Sequence, residues 1–143
     1  MSTRSVLAIL TLTGALAACS ENTPGATSTL SGTPAPAAAE LGARIYSGNC
    51  VPCHQPTGLG VPGVYPSLAG SAVVLGDPVE LARWVIKGQR PAALPTGRYP
   101  TQMLQFGWMK PADAAALLSY LRSNFGNSAP PVDAATVAKA LAQ

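Results

Sequence analysis

Histidine is almost missing from this chain: His54 is the only one in 143 residues. No site that needs two imidazoles can therefore be built from the chain alone. Charged residues make up 10 % of the sequence, the formal net charge is only +3, and no basic run is interleaved with aromatics. That composition gives no argument for a nucleic-acid-binding surface, and no nucleic-acid partner is expected. Aromatic residues are also scarce, at 6 %, so a core of this length needs apolar bulk from something other than side chains. No apolar run reaches the ~20 residues of a membrane-spanning helix. No series of alternating strand-like segments is present, which leaves helices and loops. Cysteine occurs three times, at 19, 50 and 53, and an odd count in an exported chain calls for two separate explanations.

What is present starts with Cys50-Val51-Pro52-Cys53-His54. Two thiols three positions apart with a histidine directly after is the spacing that attaches a c-type haem. Each thiol adds across one vinyl group of the porphyrin, and the imidazole then faces the iron. A zinc site would need four good ligands, and adjacent Cys53 and His54 cannot easily turn to one ion. A thioredoxin-like redox pair would need strands that this sequence does not offer. A haem would also supply the missing apolar bulk. With one histidine, bis-histidine ligation within the chain is excluded. The methionines beyond the leader, Met103 and Met109, are the candidates for a histidine–methionine pair, the set that raises the potential of electron-transfer cytochromes.

Around the motif the chain divides simply. Residues 1–18 carry an early cation (Arg4), a short apolar centre and Leu16-Ala17-Ala18 before Cys19, the pattern of a secretory signal; an uncleaved anchor is the competing reading. Residues 19–39 are rich in Ser, Thr, Pro and Ala and read as a flexible tether that buries too little to order itself. A helix is expected from about Ala37 to Asn49, with Leu41, Ile45 and Tyr46 on one face and a helical Gly42 that implies close approach of another helix. Residues 55–70 are a Gly/Pro loop in which Leu68 is the best candidate to touch the ring.

Asp77 caps the next helix, Pro78 starts it, Glu80 completes a capping box and Gly88 ends it. Its cations Arg83, Lys87 and Arg90, joined by Arg98, read as a solvated face or as a patch that steers an acidic partner. The last clear helix runs from Pro111 to Phe125, with Ala114, Leu117, Leu118 and Leu121 as its apolar stripe. Residues 128–143 form a tail, with a short helix capped by Asp133 that would put Val137 and Leu141 on one side.

Residues 40–127 resemble class I cytochrome c, most of all the bacterial single-haem domains that also occur as subunits of quinoprotein dehydrogenases and oxidases. Four stretches carry the resemblance: Cys50 to His54, Gly60-Val61-Pro62-Gly63-Val64-Tyr65-Pro66-Ser67-Leu68-Ala69-Gly70, Met103-Leu104-Gln105-Phe106-Gly107 and Leu117-Leu118-Ser119-Tyr120-Leu121-Arg122. The resemblance implies an all-α fold of three main helices and long loops around one covalent haem c. It implies Cys50 and Cys53 as attachment points, His54 and Met103 as axial iron ligands, and Pro66 as the carbonyl that holds His54. It places Gly42 and Tyr46 against Leu117 and Tyr120. Tyr99 and nearby arginines are its candidates for the haem propionates. The chain departs from the family in having Leu104 where proline usually follows the methionine, and Lys110 where Ser or Thr often caps the last helix.

Separately, the small residues before Cys19 resemble the lipoprotein signal, which implies lipid at Cys19 and tethering to the periplasmic side of a bacterial membrane. The function implied is one-electron transfer between redox protein partners, with no substrate transformed, by a protein that is monomeric outside any complex. A subunit bound stably to a dehydrogenase or oxidase is the alternative, and a gas-binding haem sensor a second.

Overall fold

The computed structural model describes residues 35–94 and 96–143. The expected leader, Cys19 and the tether up to residue 34 lie outside the described residues. The described chain is helical, with no strand and one isolated bridge between Val61 and Tyr65. The all-α expectation holds.

Helix α1 spans Pro36–Asn49 and starts without a side-chain cap, on a proline at the first helical position followed by alanines. It starts one residue before the expected Ala37, so the helix overlaps the end of the stretch at 19–39 expected as a tether; alanine carries the best intrinsic helix propensity. Its buried face holds Gly42 and Tyr46. That face crosses α5, Pro111–Ser123. At the crossing, a Cβ on Gly42 would lie 2.4 Å from the carbonyl oxygen of Ala116 and 2.7 Å from Tyr120 Cβ. The helical glycine thus lets two backbones meet over Ala116 and Tyr120, one position from the expected Leu117, which is fully buried. The Tyr46 ring packs 5.5 Å from that of Tyr120 and 5.0 Å from that of Phe125.

Helix α5 stops two residues earlier than its periodicity suggests. Asn124 is extended and Phe125 takes a left-handed φ of 60°. That turn brings the Phe125 ring over Gly58, where any Cβ would collide with it.

Two one-turn helices follow α1: α2, Val51–His54, and α3, Ala72–Leu75, the latter capped by Ser71. Helix α4, Pro78–Lys87, forms as its sequence dictates. Asp77 Oδ1 accepts from the amides of Val79 (2.7 Å) and Glu80 (3.1 Å), and Gly88 ends the helix at φ 69°. Leu81, Ala82, Val85 and Ile86 face the core.

The short helix expected in the C-terminal segment forms and packs on the other helices. Helix α6, Ala134–Ala142, is capped by Asp133, whose Oδ1 accepts from Thr136 N at 2.6 Å. Val137 and Ala140 are fully buried in the core shared with α4 and α5. Ser119 Oγ donates to Val132 O (3.0 Å) and accepts from Val132 N (2.9 Å), which fixes the chain on its way into α6. The cations of α4 meet the other end. Arg83 Nε donates to Ala140 O at 3.4 Å, Lys87 Nζ to Leu141 O at 2.7 Å, and Arg83 Nη2 to Gln143 Oε1. The expected solvated face is therefore half occupied: two of its members satisfy the last carbonyls of α6, where positive charge also suits the helix dipole.

Candidate functional site

Cys50, Cys53 and His54 stand at positions i, i+3 and i+4 of one helical turn, so all three side chains emerge on one face. Cys50 N donates to Tyr46 O (2.8 Å), and His54 N donates to Cys50 O (2.8 Å). The motif thus extends α1 by a turn. Gln55 then breaks the helix with a left-handed φ of 63°, held by Tyr46 OH, which donates to Gln55 O at 2.5 Å. Burial, and secondarily the neighbouring Cys50 and Tyr120, push the Tyr46 hydroxyl up to about 12, so it remains a donor at any working pH.

The loop after the motif folds back on it. Gly60 N donates to His54 O (3.0 Å) and Leu68 N to Gly58 O (2.7 Å). This return sets the carbonyl oxygen of Pro66 3.0 Å from His54 Nδ1. A carbonyl only accepts, so Nδ1 carries the proton and Nε2 is the bare nitrogen. Burial lowers the His54 pKa, which favours the neutral ring, and the bond to Pro66 offsets part of that. Burial likewise pushes the Cys50 thiol up to about 11, with Cys53 adding a smaller rise.

These groups line a cleft of about 530 Å³. Also lining it are Met103, Leu104 and Phe106 from the long loop, Trp84 from α4, and Leu94 and Tyr99. Of the residues singled out in the sequence, Cys50, Cys53, His54, Pro66, Tyr99 and Met103 come together here. Leu68 does not line the cleft. Its backbone is held between Gly58 O and Asn127 Nδ2, and its side chain packs on the hydrophobic core. Arg90, read with the solvated face, stands at the cleft instead. Met109 is 4 % exposed within the core and is not a cleft residue, whereas Met103 is. Trp84 was missed. It lies three residues after Leu81 at helical spacing, a signal that the apolar stripe of α4 carries it inward.

The lining suits a large flat apolar group with a soft metal at its centre. The volume lies in the ~300–1,000 Å³ range of cofactor pockets. One wall offers a neutral imidazole nitrogen beside two thiols, and Met103 brings a thioether to the same cleft. No carboxylate is among the lining residues, and among the described residues no group of three or more His, Cys, Asp or Glu could hold a bare metal ion. Imidazole and sulfur donors without carboxylates fit iron in a porphyrin better than a hard cation.

Comparison with known proteins agrees. The family model for cytochrome c matches residues 39–125. The chain is 34 % identical over 93 residues to the cytochrome c subunit of a quinone alcohol dehydrogenase from Gluconobacter oxydans, covering 62 % of this chain and 19 % of that protein. The corresponding subunit of Gluconacetobacter polyoxogenes is 34 % identical over 104 residues, 68 % of this chain and 22 % of that one. The chain thus spans about a fifth of the length of these dehydrogenase subunits. Cytochrome c-552 of Thermus thermophilus is 30 % identical over 92 residues, 61 % of this chain and 70 % of the relative. The chain belongs to the cytochrome c family, of class I, and its cofactor is haem c.

Proposed function

We propose that this protein is a single-haem electron carrier in which Cys50 and Cys53 hold the cofactor covalently and His54 and Met103 are the axial iron ligands. One observation carries the reading: a single cleft gathers both thiols, the imidazole and one of the two candidate thioethers, while the other thioether is sealed in the core. When bound, the haem iron supplies a one-electron couple. The protein's part is to hold and tune it. Pro66 fixes the His54 ring and tautomer and raises its basicity as a ligand. Met103, as the second ligand, would raise the potential and keep small ligands from the iron. Trp84, Leu94 and Phe106 supply apolar walls that limit water. Tyr99 and Arg90 are the polar groups suited to the propionates. No substrate bond is made or broken at such a site, so the protein is a carrier and not an enzyme.

The partners in this reading are redox proteins. Two relatives are named as cytochrome c subunits of quinone alcohol dehydrogenases, which supports a quinoprotein dehydrogenase as donor and a stably bound subunit as the second reading. The signal-like pattern of residues 1–18, the small residues before Cys19 and the Ser/Thr/Pro/Ala-rich stretch after it support export and lipid anchoring at Cys19 on the periplasmic side of a membrane. Among the described residues no helix is long and apolar enough to cross a membrane. The test is a reduced-minus-oxidised spectrum with haem quantification on protein matured in a periplasm. One covalent haem per chain is expected, with slow, weak carbon monoxide binding to the reduced form. Rapid, tight carbon monoxide binding would favour a gas sensor, and absence of covalent haem would overturn the proposal.

A further inference from the structure

Gly88 answers two demands at once. Its left-handed φ of 69° ends α4. Its bare Cα is also the floor on which the Gln105 side chain lies: a Cβ there would come within 2.5 Å of Gln105 Nε2, 2.8 Å of Cδ and 2.9 Å of Cγ. The first demand is local, and the helix stop explains it. The second is not local: it brings Gln105, far along the loop, back to the end of the helix that the loop leaves.

The neighbours of Gln105 lie on the same helix end. The last carbonyls of a helix have no partner within it. In α4, Trp84 O accepts from the Gly88 amide at 3.0 Å and Arg83 O from the Gln89 amide at 3.3 Å. Val85 O accepts from across the loop, from Phe106 N at 3.1 Å. A Cβ on Gly107 would stand 3.6 Å from Ile86 O, an ordinary contact. Residues 105–107 are thus laid along the last turn of α4, which Val85 and Ile86 root in the core.

Met103 is two residues before Gln105, and it lines the same cleft as Gly88. Leu104, between Met103 and Gln105, offers little hold. Its side chain is 72 % exposed, and a leucine does not fix its own φ as a proline would. Gln105 is exposed and is not a cleft residue, so any effect it has on the cleft passes through the chain beside it.

We propose that Gln105 is a positioning residue for Met103: by lying across Gly88 it fixes the direction in which the chain leaves α4 for Met103, and so holds the thioether in the cleft. This rests on the reading of Met103 as the second iron ligand. It adds the contact that keeps that ligand in place. The contact is made by Cγ, Cδ and Nε2, so it needs a long unbranched side chain at 105 and no side chain at 88.

The test uses the haem-loaded full chain and two readouts, the rate of carbon monoxide binding to the reduced form and the far-red iron–sulfur band of the oxidised form. Gln105→Ala is expected to bind carbon monoxide about tenfold faster and to weaken the band, as for loss of a group that orients a metal ligand from outside. Its denaturation midpoint should stay at the wild-type value, because an exposed side chain is removed. Gln105→Met keeps the length of the stem and should restore the wild-type rate. On top of Met103→Ala, Gln105→Ala should add nothing, since there is no thioether left to hold. An unchanged carbon monoxide rate in Gln105→Ala, with the band lost in Met103→Ala, overturns the positioning role and leaves the ligand reading intact. A faster rate that Gln105→Met does not rescue, or that adds to the effect of Met103→Ala, overturns it as well. A band that survives in Met103→Ala overturns the ligand reading itself.

Discussion

His54 Nδ1 and the carbonyl oxygen of Pro66 lie 3.0 Å apart, twelve residues from each other in the chain. The bond decides which nitrogen of the only histidine faces the cleft. It depends on a backbone turn rather than on the proline side chain, and the turn depends on Gly60. With φ of 65°, Gly60 sits where a Cβ would come within 2.4 Å of Tyr65 O and 2.6 Å of Pro66 O.

Gly60→Ala should therefore displace the Pro66 carbonyl from His54. In the wild type the Nδ1 proton of His54 should be protected from solvent exchange by NMR. In the variant it should exchange at least tenfold faster, and the fold should lose about 2 kcal/mol from overpacking and the left-handed backbone together. Unchanged protection would mean that some other group holds the ring.

The two glycines of α1 should answer in opposite directions. At Gly42 an added methyl meets the backbone of Ala116, which cannot rotate away, so Gly42→Ala should destabilise by about 2 kcal/mol or more. At Gly48 nothing lies within 4 Å of the added atom, so Gly48→Ala should stabilise by up to about 1 kcal/mol through helix propensity. Denaturant midpoints at constant slope measure both.

Asp133 makes the docking of α6 depend on pH. Its folded pKa is lowered, first by the bond from the Thr136 amide and next by the Thr136 side chain. The unfolded chain therefore holds the proton more tightly. The cap contributes fully above the ordinary carboxylate pKa of about 4, and its contribution is lost as pH falls through the folded value. Amide exchange in α6, corrected for its intrinsic pH dependence, should accelerate as pH falls below the ordinary carboxylate pKa of about 4. Asp133→Asn keeps a capping oxygen without the titration, so its α6 exchange should show no such step.

Local patterns in the sequence carried most of the fold. Asp77, Pro78 and Gly88 mark α4 because capping and left-handed turns use few residue types, and the apolar period marks α5. The site was legible for the same reason: Cys50, Cys53 and His54 are a short-range pattern, and a single turn of helix gives it its geometry. What was not legible is long-range bonding of polar side chains to backbone. Asn127 ties Leu68 O, the Gly70 amide and Leu121 O together. Arg122 is 4 % exposed and donates to Pro130 O, Val74 O and Gly76 O, clamping α3 and the run into α6. Its burial lowers its pKa, with Asp77 opposing that. Neither residue has a local signature, because its partners lie up to 59 positions away. The same holds for Arg83 and Lys87: helical spacing placed them on one face, but only the packing of α6 shows what that face meets.

The proposed pairing of His54 with Met103, which line one cleft, is the centre of this account, and Met109 is the built-in control. The measurement is the weak far-red iron–sulfur band of the oxidised protein, followed in the wild type and in two variants, with the midpoint potential alongside. Met103→Ala should abolish the band and lower the potential. Met109→Ala should keep both and instead lose about 2–5 kcal/mol of stability, as expected for emptying a core position. A band that survives in Met103→Ala, or that disappears in Met109→Ala, would contradict the account.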